Sequence, residues 1–217
     1  MDIGATMGLL AQGFYSSLLI FAITLIGALP LGILIALCRS SRFAPLAYLT
    51  RIYISIMRGT PLMLQLIAIT FGPFYIFHLR LSTEWKIIAC SIGFILNYAA
   101  YFAEIYRSGI QSIPQGQYEA AQVLGYTRKQ TFMLIVLPQV FKRILPALGN
   151  EIITLVKDTS LAYVLGIAEM FSVAKTLAAS AASMIPFAFA AVIYWVFSSL
   201  IELVLAKIEK RFSYYSD

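Results

Sequence analysis

The chain is a succession of long apolar runs separated by shorter polar ones. Residues 14–37 are almost wholly apolar, and no charge stands between Asp2 and Arg39. Further runs cover about 52–77, 85–106, 148–170 and 185–206. Crossing the ~30 Å hydrocarbon layer takes roughly 20 residues of helix at about 1.5 Å each, and every run is long enough. The pattern predicts an all-α integral membrane protein with five transmembrane helices in a single domain over 1–217. The first run is too long for the core of a cleaved signal, and no Lys or Arg precedes it. Pro30 and Gly32 inside it are tolerated where neighbouring helices satisfy the freed backbone. The second run is interrupted by Arg58-Gly59-Thr60-Pro61 near its start, which reads as a helix start. The fourth carries Glu151, Lys157 and Asp158. Before it lie the longest polar stretch, 107–130, and a moderately apolar part, 131–148, broken by Pro138 and Pro146.

Composition narrows the class. Hydrophobic residues make up 60% of the 217 and charged ones 12%. An average soluble domain is about 45–50% apolar and about 25% charged, so the ionised groups are too few to cover a water-soluble surface. Aromatics at 14% exclude a disordered chain.

Charge then sets orientation, because cytoplasmic loops carry the Lys/Arg excess. Arg39, Arg42 and Arg51 follow the first span, and Arg80 and Lys86 the second. Arg107, Arg128, Lys129, Lys142 and Arg143 follow the third, while only Lys175 follows the fourth. Lys207, Lys210 and Arg211 lie at the end. The expectation is an N-terminus outside, with the long polar loop and the C-terminus inside. The net +6 is then topology, not affinity for nucleic acid. His78 is the only histidine and no Cys/His cluster is present, so no metal is expected. No phosphate-cradling GxxxxGK[ST] occurs either, so ATP hydrolysis and other enzymatic activity are not expected of this chain.

The polar loop, about 107–138, holds one spaced motif. Glu119-Ala120-Ala121 is followed by three residues, Gly125, nine residues, and Ile135-Val136-Leu137-Pro138. Ala and Glu favour helix. Gly125 suits the left-handed end of that helix, and Thr127 suits the N-cap of a second one. Pro138 is expected to end the second helix, since it lacks an amide hydrogen. The result is a helix–turn–helix at the membrane surface, with small Ala side chains permitting close approach by a partner.

This motif resembles the EAA loop of permease subunits in bacterial ATP-binding cassette importers, with every fixed position at the family spacing. Three more segments resemble the polar amino-acid branch of that family: Arg58-Gly59-Thr60-Pro61-Leu62 with Gln65, the stretch from Asn97 to Arg107, and Pro146 to Glu151 with Lys157 to Leu161. The resemblance covers roughly 10–212. It implies a type I importer permease in the bacterial cytoplasmic membrane. It further implies separate ATPase subunits docked on Glu119, Ala120, Ala121 and Gly125, a second permease subunit, and an extracytoplasmic substrate-binding protein that delivers a polar amino acid. No cofactor is implied. Which amino acid is carried, and whether the second permease is another copy or a different chain, stay open.

Ionisable groups at membrane depth cost about 3 kcal/mol each on insertion scales, so each needs a reason. Glu151 and Asp158 are seven apart, hence on nearly one helix face, with Lys157 about 100° round. Asn97 and Glu104 repeat the spacing, and Arg107 is within reach of Glu104. One reading puts Asn97, Glu151 and Asp158 along a polar substrate path, with Lys157 and Arg58 beside it. The other makes Glu104–Arg107 a local ion pair, Lys157 a neutraliser of the nearby acids, and Arg58 a helix start or partner contact. An ion- or proton-coupled carrier or channel using Glu151 and Asp158 is the alternative function.

Overall fold

In the computed structural model, residues 3–78 and 82–211 are described. Arg80 and the extreme ends of the chain lie outside them. Most of the described residues are helical, with no strand among them. The helices are α1 (Ile3–Arg39), α2 (Ala44–Gly59), α3 (Leu62–Phe77), α4 (Thr83–Gln111), α5 (Gln115–Val123), α6 (Arg128–Gln130), α7 (Leu137–Asp158), α8 (Met170–Ala181) and α9 (Ile185–Arg211). Among the described residues, four helical stretches are long and apolar enough to cross a membrane, or five if α2 and α3 count as one broken span.

α4 is the central helix. Phe94, Tyr98 and Phe102 on it are fully buried or nearly so, and they join Ile20 and Ala28 of α1, Leu66 of α3, and Val140 and Ile144 of α7 in the main core. α1 carries a buried stripe of small residues, Gly13, Ser17, Thr24, Ala28, Gly32 and Ala36; Gly32 on it meets α4, while Gly13 and Ser17 meet Met170 of α8. A Cβ on Gly32 would stand 2.9 Å from the Cβ of Phe102 and 3.2 Å from the carbonyl oxygen of Ala99. Without a hydrophobic force between helices in lipid, such close backbone approach is what packs them. α9 is the opposite case: only Pro186 and Ala190 on it are buried.

Three expectations are corrected. The second run is not one helix that starts at Arg58. It breaks by 110° between α2 and α3. Pro61 pushes the residue before it out of the helical region, and Thr60 is extended at φ −121°, ψ 150°.

The second correction concerns Pro138, which does not end its helix. One continuous stretch runs from Arg128 to Leu165. It passes through a wider π-helical segment at Thr131–Val136. In an α-helix the carbonyl of Leu134 would bond the amide of residue 138, which proline lacks, and the ring would strike that carbonyl. A widened turn relieves both, and the Leu137 amide reaches back to Phe132 instead.

Third, the fourth span starts well before Leu148 and narrows before Met170. It tightens into a 3₁₀ segment at Thr159–Leu165, and Gly166 turns the chain at φ +76°. Pro146 lies inside α7 rather than at a break. α4 and α9 both run about five residues further than the apolar pattern, to Gln111 and Arg211.

Candidate functional site

The α2–α3 break exposes backbone carbonyls that the helix would have satisfied. Two side-chain amides meet them. Gln65 Nε2 donates to the carbonyls of Met57 (3.0 Å) and Thr60 (3.1 Å) and to Thr60 Oγ1 (2.8 Å). Asn97 Nδ2, from α4, donates to the Met57 carbonyl (3.0 Å) and to Gln65 Oε1 (2.9 Å). Asn97 is 4% exposed, so its amide nitrogen is taken up in holding the break open.

Beside that break lies a cavity of about 410 Å³. The turn from Thr60 to Leu62 bounds it on one side and Asn97, Tyr98 and Tyr101 of α4 on another. α7 supplies Glu151, Thr154 and Asp158 to its third wall. The seven-residue spacing does bring both acids to one cavity. Tyr98 Oη donates to Asp158 Oδ2 at 2.7 Å. Arg58, at the C-terminal end of α2, lies over the Tyr101 ring with its guanidinium carbon 5.4 Å from the ring centre. The two carboxylates and the positive start of α3 line the cavity, and the Arg58 guanidinium lies beside it over Tyr101.

Lys157 is not with them. It lines a separate groove of about 590 Å³ with Ser160, Tyr194, Trp195 and Ser198, toward α9. Glu104 stays outside the cavity as well, gripped by Arg107 Nε at 3.1 and 3.0 Å. That matches the local ion pair.

Sequence reasoning missed Tyr98, Tyr101 and Thr154. A signal existed for Thr154, which sits between the two acids on their helix face. Tyr98 and Tyr101 had no signal apart from the register of α4 against α7. It also missed Glu169, which is fully buried. Glu169 caps α8 by accepting from the amides of Phe171 and Ser172, each at 2.7 Å, and it receives the Tyr194 hydroxyl at 3.4 Å. The amide of Met170 beside it donates to Ser17 of α1. Burial raises the Glu169 carboxyl above its ordinary range, and those donors hold it partly down.

The second candidate region is the loop at the other end of α7. α5 ends in a reversal in which the Tyr126 amide donates to the Ala121 carbonyl at 3.0 Å, with Gly125 left-handed at φ +79°. Thr127 and Gln130 then form a reciprocal cap on α6. Glu119, Ala120 and Gly125 are exposed. Ala121 differs from the expectation: it is 1% exposed and packs into the protein itself. The free apolar surface is next to it, at Val123 (88% exposed) and Leu124 (73% exposed).

The family profile described as the binding-protein-dependent transport system inner membrane component matches residues 28–214. The chain is 37% identical over 209 residues to the L-cystine transport system permease protein TcyB of Bacillus subtilis, covering 95% of this chain and 88% of the relative. It is 34% identical over 215 residues to the arginine transport system permease protein ArtQ of the same organism, covering 97% of each. The glutamate/aspartate import permease protein GltK of Escherichia coli is 34% identical over 190 residues, covering 83% of each chain. A crystal structure of an amino acid ABC transporter with histidines superposes with a TM-score of 0.88 at 31% identity, covering 97% of both chains. The MetNI methionine ABC transporter shares the fold at 18% identity and a TM-score of 0.71, covering 98% of this chain and 99% of that one.

Proposed function

This chain belongs to the family of inner membrane components of binding-protein-dependent transport systems, and we propose that within it the chain forms the translocation path of an ATP-driven importer for a polar amino acid. It is a multi-pass permease subunit of the inner membrane. The observation that carries the reading is the cavity at the broken second span. There, Glu151 and Asp158 can receive a substrate's ammonium. Arg58 and the start of α3 favour its carboxylate. A zwitterion matches such an arrangement, whereas a bare ion would use only half of it.

ATP hydrolysis belongs to separate ATPase subunits that dock on the loop around Glu119–Gly125, where Val123 and Leu124 supply the apolar contact. An extracytoplasmic binding protein delivers the solute, and a second permease subunit closes the other side of the path. The N-terminus lies outside. Coupling has a physical route in this chain. From Arg128 the helix runs without interruption past the loop, through the widened turn and on to Asp158. A push on the loop is therefore delivered along a stiff rod to the acids of the cavity, and rigid-body rotation of spans alternates access.

The test is uptake of labelled amino acids by cells expressing the complete transporter. Glu151→Gln and Asp158→Asn should each abolish most uptake while the permease still assembles with its ATPase. Uptake unchanged in both variants would overturn the reading.

A further inference from the structure

Resting on the cavity reading above, we infer that Tyr98 is the positioning residue that aims the Asp158 carboxylate at the cationic group of the substrate while leaving its charge intact. Asp158 is the last residue of α7, where the backbone passes from α-helix to the tighter 3₁₀ segment. A carboxylate at such a change of pitch needs an anchor from another element. No ion pair among the described residues provides one. Lys157 is its neighbour in sequence but lines the groove toward α9. The anchor is the Tyr98 hydroxyl, 2.7 Å from Oδ2.

The chemistry of that anchor matters. A Lys or Arg in the same place would hold the carboxylate and also cancel its charge. A tyrosine hydroxyl donates one hydrogen bond and stays neutral. Asp158 is thus fixed without a cation to cancel its charge. Its other oxygen, Oδ1, has no hydrogen-bond partner among the described residues and is not buried. The residue that carries it lines the cavity. Tyr98 itself is held rigidly. It is 2% exposed and packs its ring on Phe102, with centroids 6.1 Å apart. The same α4 turn carries Asn97, which clamps the α2–α3 break. Consecutive residues of α4 therefore set the two walls of the site, one the broken helix and the other the acid.

The experiment uses the purified transporter, this chain with its ATPase subunit, and labelled L-glutamine, L-glutamate, L-arginine, L-histidine, L-lysine and L-cystine as probes. Binding of the best probe is followed in wild type, Tyr98→Phe, Asp158→Asn and the double variant. Tyr98→Phe removes one oxygen and keeps the ring, so yield and ATPase co-purification should hold. Its dissociation constant for the probe should rise about tenfold, the equivalent of ~1.4 kcal/mol. In the Asp158→Asn background, read at millimolar probe, the same change should add little, because Tyr98 acts through Asp158. If Asp158→Asn weakens binding but Tyr98→Phe does not, the positioning role is wrong and the cavity reading stands. The positioning role is equally wrong if Tyr98→Phe weakens binding by the same factor in both backgrounds, since that marks a general packing defect. Wild-type binding in Asp158→Asn would overturn the cavity reading itself.

Discussion

Asn97 donates its side-chain amide to Oε1 of Gln65, 2.9 Å away and 32 positions back along the chain. The pair bridges the break between α2 and α3, and both side chains also bond the carbonyl of Met57. A break inside a membrane is tolerated only when something takes over the backbone bonds it loses. Here two carboxamides do so from adjacent helices.

Gln65→Leu and Asn97→Leu should therefore each destabilise the protein by about 1–3 kcal/mol, the usual consequence of leaving buried backbone acceptors unpaired. Thermal denaturation in detergent measures it. The double variant should lose much less than the sum of the two single losses, because the residues share the Met57 carbonyl and bond each other. Full additivity would mean that they act independently.

Lys157 lines the groove toward α9 and not the cavity. Lys157→Met should leave the half-saturation for uptake within about twofold of wild type, while Asp158→Asn should raise it by tenfold or more, a difference of ~1.4 kcal/mol. A large rise for Lys157→Met in concentration-dependent uptake assays would place the lysine in the path after all.

At the loop around Glu119–Gly125, Val123→Asp and Leu124→Asp should sharply reduce the ATPase that co-purifies with the permease, as should Glu119→Lys. Ala120→Ser should do far less. Gly125→Ala should act differently: at φ +79° a side chain costs roughly 1–2 kcal/mol. It should weaken docking by disturbing the reversal rather than the contact surface. Pull-down yields at equal permease expression distinguish these, and normal yields for both Asp variants would remove Val123 and Leu124 from the interface.

Glu169 predicts a pH dependence. Burial raises its carboxyl in the folded state. The folded protein therefore keeps this proton to a higher pH than the unfolded chain does. The stabilisation associated with it is complete below the ordinary carboxyl range and is lost as pH rises through the raised value. Glu169→Gln stays neutral throughout. Melting temperatures measured between about pH 4 and pH 8, a range that brackets ordinary carboxyl titration, should show wild type losing ground to Glu169→Gln as pH rises. A gap independent of pH would contradict it. Glu169→Ala should be less stable than either by about 1–2 kcal/mol, since it removes the cap of α8.

Much of this molecule was legible before any coordinates. The apolar runs and sparse charge identify a membrane protein, because no other solvent accepts such a surface. The spaced loop motif points to the transport family, and the seven-residue interval between Glu151 and Asp158 puts both on one face of a single helix. Such features are local: they depend on helical period, turn chemistry and the length of a membrane crossing.

What the sequence left undecided depends on how the helices meet. Pro138 reads as a stop, yet the helix continues, because widening one turn is easier than breaking a rod packed against α4 and α5. Arg58 to Pro61 reads as a start, yet it is the middle of a broken span whose lost bonds are taken up by Gln65 and Asn97. Lys157 reads as a member of the acid cluster, and a rotation of about 100° on the helix sends it into another groove. Tyr98 gave no sign at all, because its role follows only from the register of α4 against α7, which brings its hydroxyl to Asp158. Contacts between residues tens of positions apart are set by packing, and packing is settled by the whole set of neighbouring helices at once.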